Sequence, residues 1–236
     1  RLGSAIHGSA QFLKGTPNPI IRPFSKASRK RTMRRTKEDA EKTRQTVIEA
    51  ALKLFSRDGY SLTTLSRIAK EAGCSRGPIY WHFENKDDLY EAVLAYSQEP
   101  LEALVGECSS MRETPVEAMD HFIERWLSLL ANDRKYRQSF EILLNKTELT
   151  DAMSRTLKRE RALTKSVVGL FRDLVGQAAA QGSIITEENP EDLGLVSYTY
   201  LMGITQTWLF APGLFSLKKE IPFFQRQFWL MLSVNN

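Results

Sequence analysis

Residues 74–86 read CSRGPIYWHFENK. Gly77 and Pro78, a helix-breaking pair, stand directly ahead of Ile79 and the rings of Tyr80, Trp81, His82 and Phe83. The pair makes sense as the first turn of a helix. With Ser75 as N-cap, Arg76, Gly77 and Pro78 fill positions whose N–H groups have no intrahelical partner, so proline loses nothing there. Ser75 can then cap through the N–H of Gly77. Ile79 and Phe83, four apart, share the inner face and leave Arg76, Tyr80 and His82 pointing outward. Gly77 keeps the leading edge slim enough for close backbone approach.

The neighbouring segments fit this reading. Glu38 to Asp58 places Ile48, Ala51, Leu52 and Phe55 on one face, and Gly59 is available for a left-handed cap. Thr63 or Thr64 caps a short helix whose Leu65, Ile68, Ala69 and Ala72 recur at i, i+3, i+4, i+7, and Gly73 stops it. The tight turn from Ala72 to Ser75 is that of a helix-turn-helix. In that motif the second helix enters the major groove with its N-terminal residues on base edges. Asn85 is expected to cap the next helix, with Leu89 and Val93 inward.

Apolar spacing of three and four continues to the C-terminus, and strand alternation is almost absent. Helices are predicted over Pro115–Leu130, near Tyr136–Leu144, from about Leu149 to Gln181, from Pro190 to Phe210 and roughly from Glu220 to Val234. The first of these aligns Met119, Phe122, Trp126 and Leu129; the last carries Ile221, Phe224, Phe228 and Met231. The fold class is all-α. A three-helix, helix-turn-helix DNA-binding domain is expected over 34–83 and a helical domain over 84–236.

Composition narrows the function classes. The chain has 236 residues, 42% hydrophobic and 26% charged, the balance of a globular protein. Its net charge of +5 is misleading as a sign of nucleic-acid binding. Residues 1–35 hold nine Lys and Arg and no acid, leaving 24 basic against 28 acidic residues, a net −4, in the rest. The segment 1–33, with Pro17, Pro19 and Pro23, reads as a disordered arm or as added sequence ahead of a natural start at Met33. Two cysteines, Cys74 and Cys108, form no disulfide framework, so a cytoplasmic location is expected. The charge-free stretch Leu193–Leu217 is diluted by Ser197, Thr199, Thr205, Gln206, Thr207 and Pro212, which favours a buried interface helix over a membrane span. No phosphate-binding loop, dinucleotide fingerprint, nucleophile elbow or zinc-protease motif occurs. His7, His82 and His121 lack metal partners at ligand spacing, so neither an enzyme nor a cofactor is expected.

From Thr36 to about Tyr96 the chain resembles the DNA-binding region of the tetracycline-repressor (TetR) family. The stretch TRQTVIEAALKLFSRDGYSLTTLSRIAKEAGCSRGPIYWHFENKDDLYEAV carries the likeness. EILLNKTEL (141–149) and TWLFAPGLFSLKKE (207–220) further resemble multidrug-efflux repressors of the AcrR type. The resemblance implies DNA contacts at Thr64, Ser66, Arg76, Gly77, Pro78, Tyr80, His82 and Lys86. Tyr80, His82 and Lys86 would hold phosphates and Arg76 would reach a base edge. Pro78 departs from the hydroxyl or small side chain common there, removing a group able to make one such contact.

The same resemblance implies a ligand-binding and dimerisation domain after residue 100. Its last two helices would build a four-helix bundle with a second copy through Val196, Tyr200, Gly203, Trp208, Phe224 and Phe228; the alternative for these residues is the subunit's own core. Inducer would sit between helices. Phe122 and Trp126, with Phe140 and Phe171 on neighbouring helices, are candidate ring walls. The flanking acids Glu124 and Glu141 would favour a planar hydrophobic cation. Leu94 and Gln98 occupy pocket positions of the fourth helix. The function expected is a homodimeric, ligand-responsive repressor of a multidrug-efflux operon, bound to an inverted-repeat operator and released by a hydrophobic or cationic inducer. The alternatives are a regulator of a metabolic or envelope operon answering a lipid-like or bile-like effector, and a helical protein-interaction module.

Overall fold

The structure, a computed structural model, describes residues 26–150 and 153–232. Among them are nine α-helices and no strand: α1 Lys26–Asp58, α2 Leu65–Glu71, α3 Arg76–His82, α4 Lys86–Ser109, α5 Pro115–Asn132, α6 Arg134–Phe140, α7 Ser154–Ala180, α8 Pro190–Phe210 and α9 Leu217–Leu232. Between α6 and α7 the chain passes through a π-turn, Glu141–Asn145. Two starts differ from the expected ones. Helix α1 is already helical at Lys26, ahead of the expected Glu38, and the sequence KASRKRTMRRTK offers no apolar spacing for periodicity to detect. Residues 1–25 of the expected arm, and Val234, lie outside the described residues. Helix α7 begins at Ser154 rather than Leu149, because the Lys146 carbonyl accepts from Tyr60 N–H at 3.0 Å and the chain is held there in a loop.

The helix ends follow the predicted punctuation. Gly59 and Gly73 take φ of 83° and 67°, the left-handed region that a side chain would strain. Of the two candidate caps for α2, Thr64 is the one used, its hydroxyl accepting from Arg67 N at 3.3 Å. Thr63 is buried instead, its hydroxyl donating to Gly59 O at 2.8 Å. Asn85 accepts from Asp88 N at 2.9 Å and so opens α4. Each such cap contributes about 1 kcal/mol. Ser75 differs from expectation. It is the N-cap of α3 but makes no side-chain cap bond, since Pro78 removes one of the two N–H groups such a cap serves.

Two apolar clusters divide the fold. The first gathers Val47, Ile48, Ala51 and Phe55 of α1 with Ile68, Ile79, Phe83 and the start of α4, Leu89 to Leu94. The second takes the end of α4 from Leu101 with α5 to α9. The change falls inside α4, so one helix carries both cores. Ile142 of the π-turn and Met153 pack into the first cluster from the far side of the sequence. Helices α7 and α8 approach so closely that a Cβ on Gly194 would lie 2.8 Å from Val168 O and 2.9 Å from Arg172 N. Only glycine lets the two backbones meet there. No helix among the described residues is long and apolar enough to cross a membrane.

Candidate DNA-reading surface and ligand cavity

Helix α3 is held by its buried side. Ile79 and Phe83 are 0% and 3% exposed, while Tyr80 and Trp81 are 52% and 73% exposed. Arg76, Gly77, Thr64 and Ser66 are exposed on the same unit, with Pro78 and His82 half-buried. The Arg76 guanidinium donates to the Tyr80 hydroxyl at 2.9 Å and lies 5.7 Å from its ring. The expected base reader thus rests on an expected phosphate holder. An exposed contact of this kind is weak and readily broken. The rings of Trp81 and His82 meet edge to face at 4.6 Å. Burial, then the nearby Arg44 charge, push the His82 pKa down, against the opposing pull of Glu41.

Two residues depart from the sequence reading. Lys86 does not stand free: its ammonium donates to the carbonyls of Tyr60 at 3.0 Å and Thr63 at 3.2 Å and sits 3.9 Å from the Tyr60 ring centre. It braces the turn between α1 and α2, and burial pushes its pKa down. Trp81 was not among the candidates although it is the most exposed ring of α3. The signal was present, since a residue two places after Ile79 falls off the inner face of a helix.

Between α4, α5, α7 and α8 lies a cavity of about 90 Å³. Of the ligand candidates, Gln98, Trp126 and Phe140 line it, together with Glu160, Tyr198 and Met202. The other ligand candidates lie elsewhere. Phe122 and Phe171 pack edge to face at 5.1 Å in the solid second core, fully buried. Leu94 belongs to the first core. Glu141 is turned to Arg137, 3.7 Å away, with its pKa raised by burial. Glu124 accepts from the Ser128 hydroxyl at 2.6 Å. Trp126 Nε1–H donates to Thr205 Oγ1 at 3.0 Å, which fixes the indole in the wall. Tyr136, fully buried against Trp126 and Phe140, has a hydroxyl with no hydrogen-bond partner among the described residues.

The π-turn joins the cavity to the helix-turn-helix unit. Phe140, Leu143 and Leu144 line the cavity. Ile142 enters the first core, and Thr147 Oγ1 accepts from the Tyr90 hydroxyl at 2.8 Å.

The outer face of α8 carries Val196, Thr199, Gly203, Gln206 and Phe210, all exposed at alternating intervals of three and four. Phe223 and Leu230 of α9 are exposed too, at 42% and 57%. Val196 and Gly203 therefore lie where a partner could meet them. Tyr200, Trp208 and Phe224 are half-buried, the Tyr200 hydroxyl donating to Phe224 O at 2.8 Å. Phe228 is a correction: it is 0% exposed, 5.8 Å from the ring of Phe171, and serves the subunit's own core.

Residues 47–93 match the model of the bacterial regulatory proteins of the tetR family. Residues 114–234 match the C-terminal region of MAATS-type transcriptional repressors. The HTH-type transcriptional regulator TtgR of Pseudomonas putida is 34% identical over 80% of this chain and 90% of its own length. The regulator AcrR of Shigella flexneri is 30% identical over 79% of this chain and 87% of its own. Among solved structures, NalD of Pseudomonas aeruginosa, the secondary repressor of the MexAB-OprM multidrug efflux pump, superposes with a TM-score of 0.74 at 27% identity, covering 84% of this chain and all of that one. With a matched helix-turn-helix, a matched C-terminal region and relatives aligned along most of their length, the chain belongs to the TetR family of bacterial regulatory proteins.

Proposed function

We propose that this protein is a homodimeric repressor that binds an inverted-repeat operator and leaves it when a hydrophobic or cationic inducer occupies the cavity. In this reading residues 34–83 read DNA and residues 84–236 bind inducer and pair the subunits. The observation that carries it is the outer face of α3. Arg76, Tyr80 and Trp81 are exposed there on a helix whose other side is locked into a core. Such a helix presents bases with an arginine that reads guanine and phosphates with rings and hydroxyls. A two-fold dimer reads two related half-sites, and the apolar seam on α8 and α9 suits the pairing.

The regulated genes are proposed to encode a multidrug efflux pump, on the strength of what NalD represses. Inducer acts only if it prefers the DNA-free shape, and the two-faced π-turn provides a link for that preference. The test is a gel shift with DNA flanking the protein's own gene, without and with a titrated inducer. Specific binding abolished by Arg76→Ala and reversed by inducer supports the reading. Binding indifferent to Arg76 refutes it.

A further inference from the structure

A second recess lies between the end of α4 and α7, and it shares no wall residue with the cavity described above. Its volume is about 300 Å³, room for a small organic molecule. The charges in its wall are unbalanced. Arg172 is matched by Asp173 at 2.7 Å and by Glu191 at 3.7 Å. Arg112, in the turn after α4, and Lys165, on α7, are exposed and enter no ion pair among the described residues. Arg112 Nε donates to Ser109 O at 3.3 Å, which leaves its terminal nitrogens for another acceptor. The recess therefore carries two positive charges with no carboxylate of this chain upon them.

Two further features point to an occupant. Gly169 sits in mid-α7, where glycine weakens a helix. Unlike Gly194 it serves no close backbone approach, since a Cβ there would meet only the Arg172 guanidinium, at 3.9 Å. Its missing side chain keeps the floor of the recess open. Further along the same wall, Gln177 has a buried Oε1 with no hydrogen-bond donor among the described residues. An unmatched buried acceptor is costly, and an N–H or O–H of a bound molecule relieves it.

We propose that this recess is a second ligand site, and that it takes a phosphomonoester of nucleotide size. A phosphate monoester carries roughly two negative charges and several acceptor oxygens, matching the guanidinium of Arg112 and the ammonium of Lys165. The hydroxyls of Ser109 and Ser166 already donate to Val105 O at 2.6 Å and Ala162 O at 3.0 Å, so recognition of the anion falls to the two cations. Val105, Leu170 and Leu174 supply an apolar strip for a flat organic body, whose N–H serves Gln177. Because Arg112 follows α4 and Lys165 belongs to α7, the bound phosphate links the two segments.

The test is calorimetric titration of the full chain with adenosine 5′-monophosphate, adenosine and inorganic phosphate at one fixed ionic strength. The monophosphate should bind at least about tenfold more tightly than either part alone. Arg112→Gln and Lys165→Gln should each weaken it by roughly tenfold. Gly169→Leu, which fills the recess and replaces a mid-helix glycine, should abolish binding with no fall in melting temperature, so a folding defect in the charge variants leaves the test intact. No binding of the monophosphate, unchanged affinity in Gly169→Leu, or unchanged affinity in both charge variants would each overturn the proposal. Inorganic phosphate binding as tightly as the monophosphate would overturn it too, because the organic body would then contribute nothing.

Discussion

Gly203 offers a way to tell a subunit's own surface from a face shared with a second copy. It stands in the middle of α8, exposed, and a Cβ built on it meets nothing within 4 Å in the single subunit. Replacing an exposed mid-helix glycine by alanine relieves a backbone-entropy cost of about 0.5–1 kcal/mol, and leucine is nearly as good a helix former. An isolated subunit carrying Gly203→Leu should therefore be slightly more stable than wild type. The dimer should respond in the opposite sense. Val196, Thr199, Gly203, Gln206 and Phe210 form one seam. A side chain forced into a packed seam costs about 1–3 kcal/mol, and two-fold symmetry inserts two of them. The sum, about 2–6 kcal/mol, weakens dimerisation roughly 30-fold to twenty-thousandfold. Sedimentation across nanomolar to micromolar protein measures the dimer constant, and a thermal melt at the lowest concentration measures the subunit. Gly203→Leu with a wild-type dimer constant would refute the placement of the seam on this face.

Four further outcomes follow from named contacts. Arg76→Ala should cost about 1–3 kcal/mol in operator affinity and relax preference at one base position, read by competition with single-base variants. Trp81→Ala should weaken operator binding with no fall in melting temperature, since the ring is 73% exposed; an early melt would place it in the core instead. Lys86→Ala should destabilise the DNA-reading unit by roughly 1–2 kcal/mol, because the ammonium bridges two carbonyls, and should shift the logarithmic salt slope of binding by less than the ~0.9 of a lost phosphate contact. Asp58 supplies a pH test. The hydrogen bond from Arg57 and the charges of Arg57 and Arg67 hold its pKa at about 2, so its stabilisation is complete above the ordinary carboxyl value and is lost as pH falls towards 2. Asp58→Asn should flatten the melting curve between about pH 4 and about 2, and an unchanged acid limb would show that other carboxylates control it.

Much of the fold was legible because its punctuation is local. Asn85 and Pro190 open helices, and Gly59 and Gly73 close them, through N–H groups or φ angles that neighbouring residues determine. The site was less legible because its decisive contacts span the chain. Glu160 lies in the charged run LKRERALTK, which periodicity assigns to solvent; its cap comes from Gln98, 62 residues earlier. Lys86 reads as a phosphate contact until the carbonyls of Tyr60 and Thr63, 26 and 23 residues back, are brought to it. Phe224 and Phe228 share a stripe in sequence, yet Phe228 is buried and Phe224 only half-buried, because α9 packs on the subunit along one edge of that stripe. Truncating Phe228 to alanine should accordingly cost the subunit about 3–5 kcal/mol.

The central claim is that α3 reads DNA in a two-fold pair. Repeated selection from a random duplex pool tests it most directly, run in parallel with wild type and Arg76→Ala. The account predicts that wild type enriches an inverted repeat with half-sites an integral number of helical turns apart, about 34–36 Å per turn, and that Arg76→Ala loses preference at a symmetric pair of positions. Enrichment of no sequence by wild type, or of the same repeat with undiminished preference by Arg76→Ala, would contradict it.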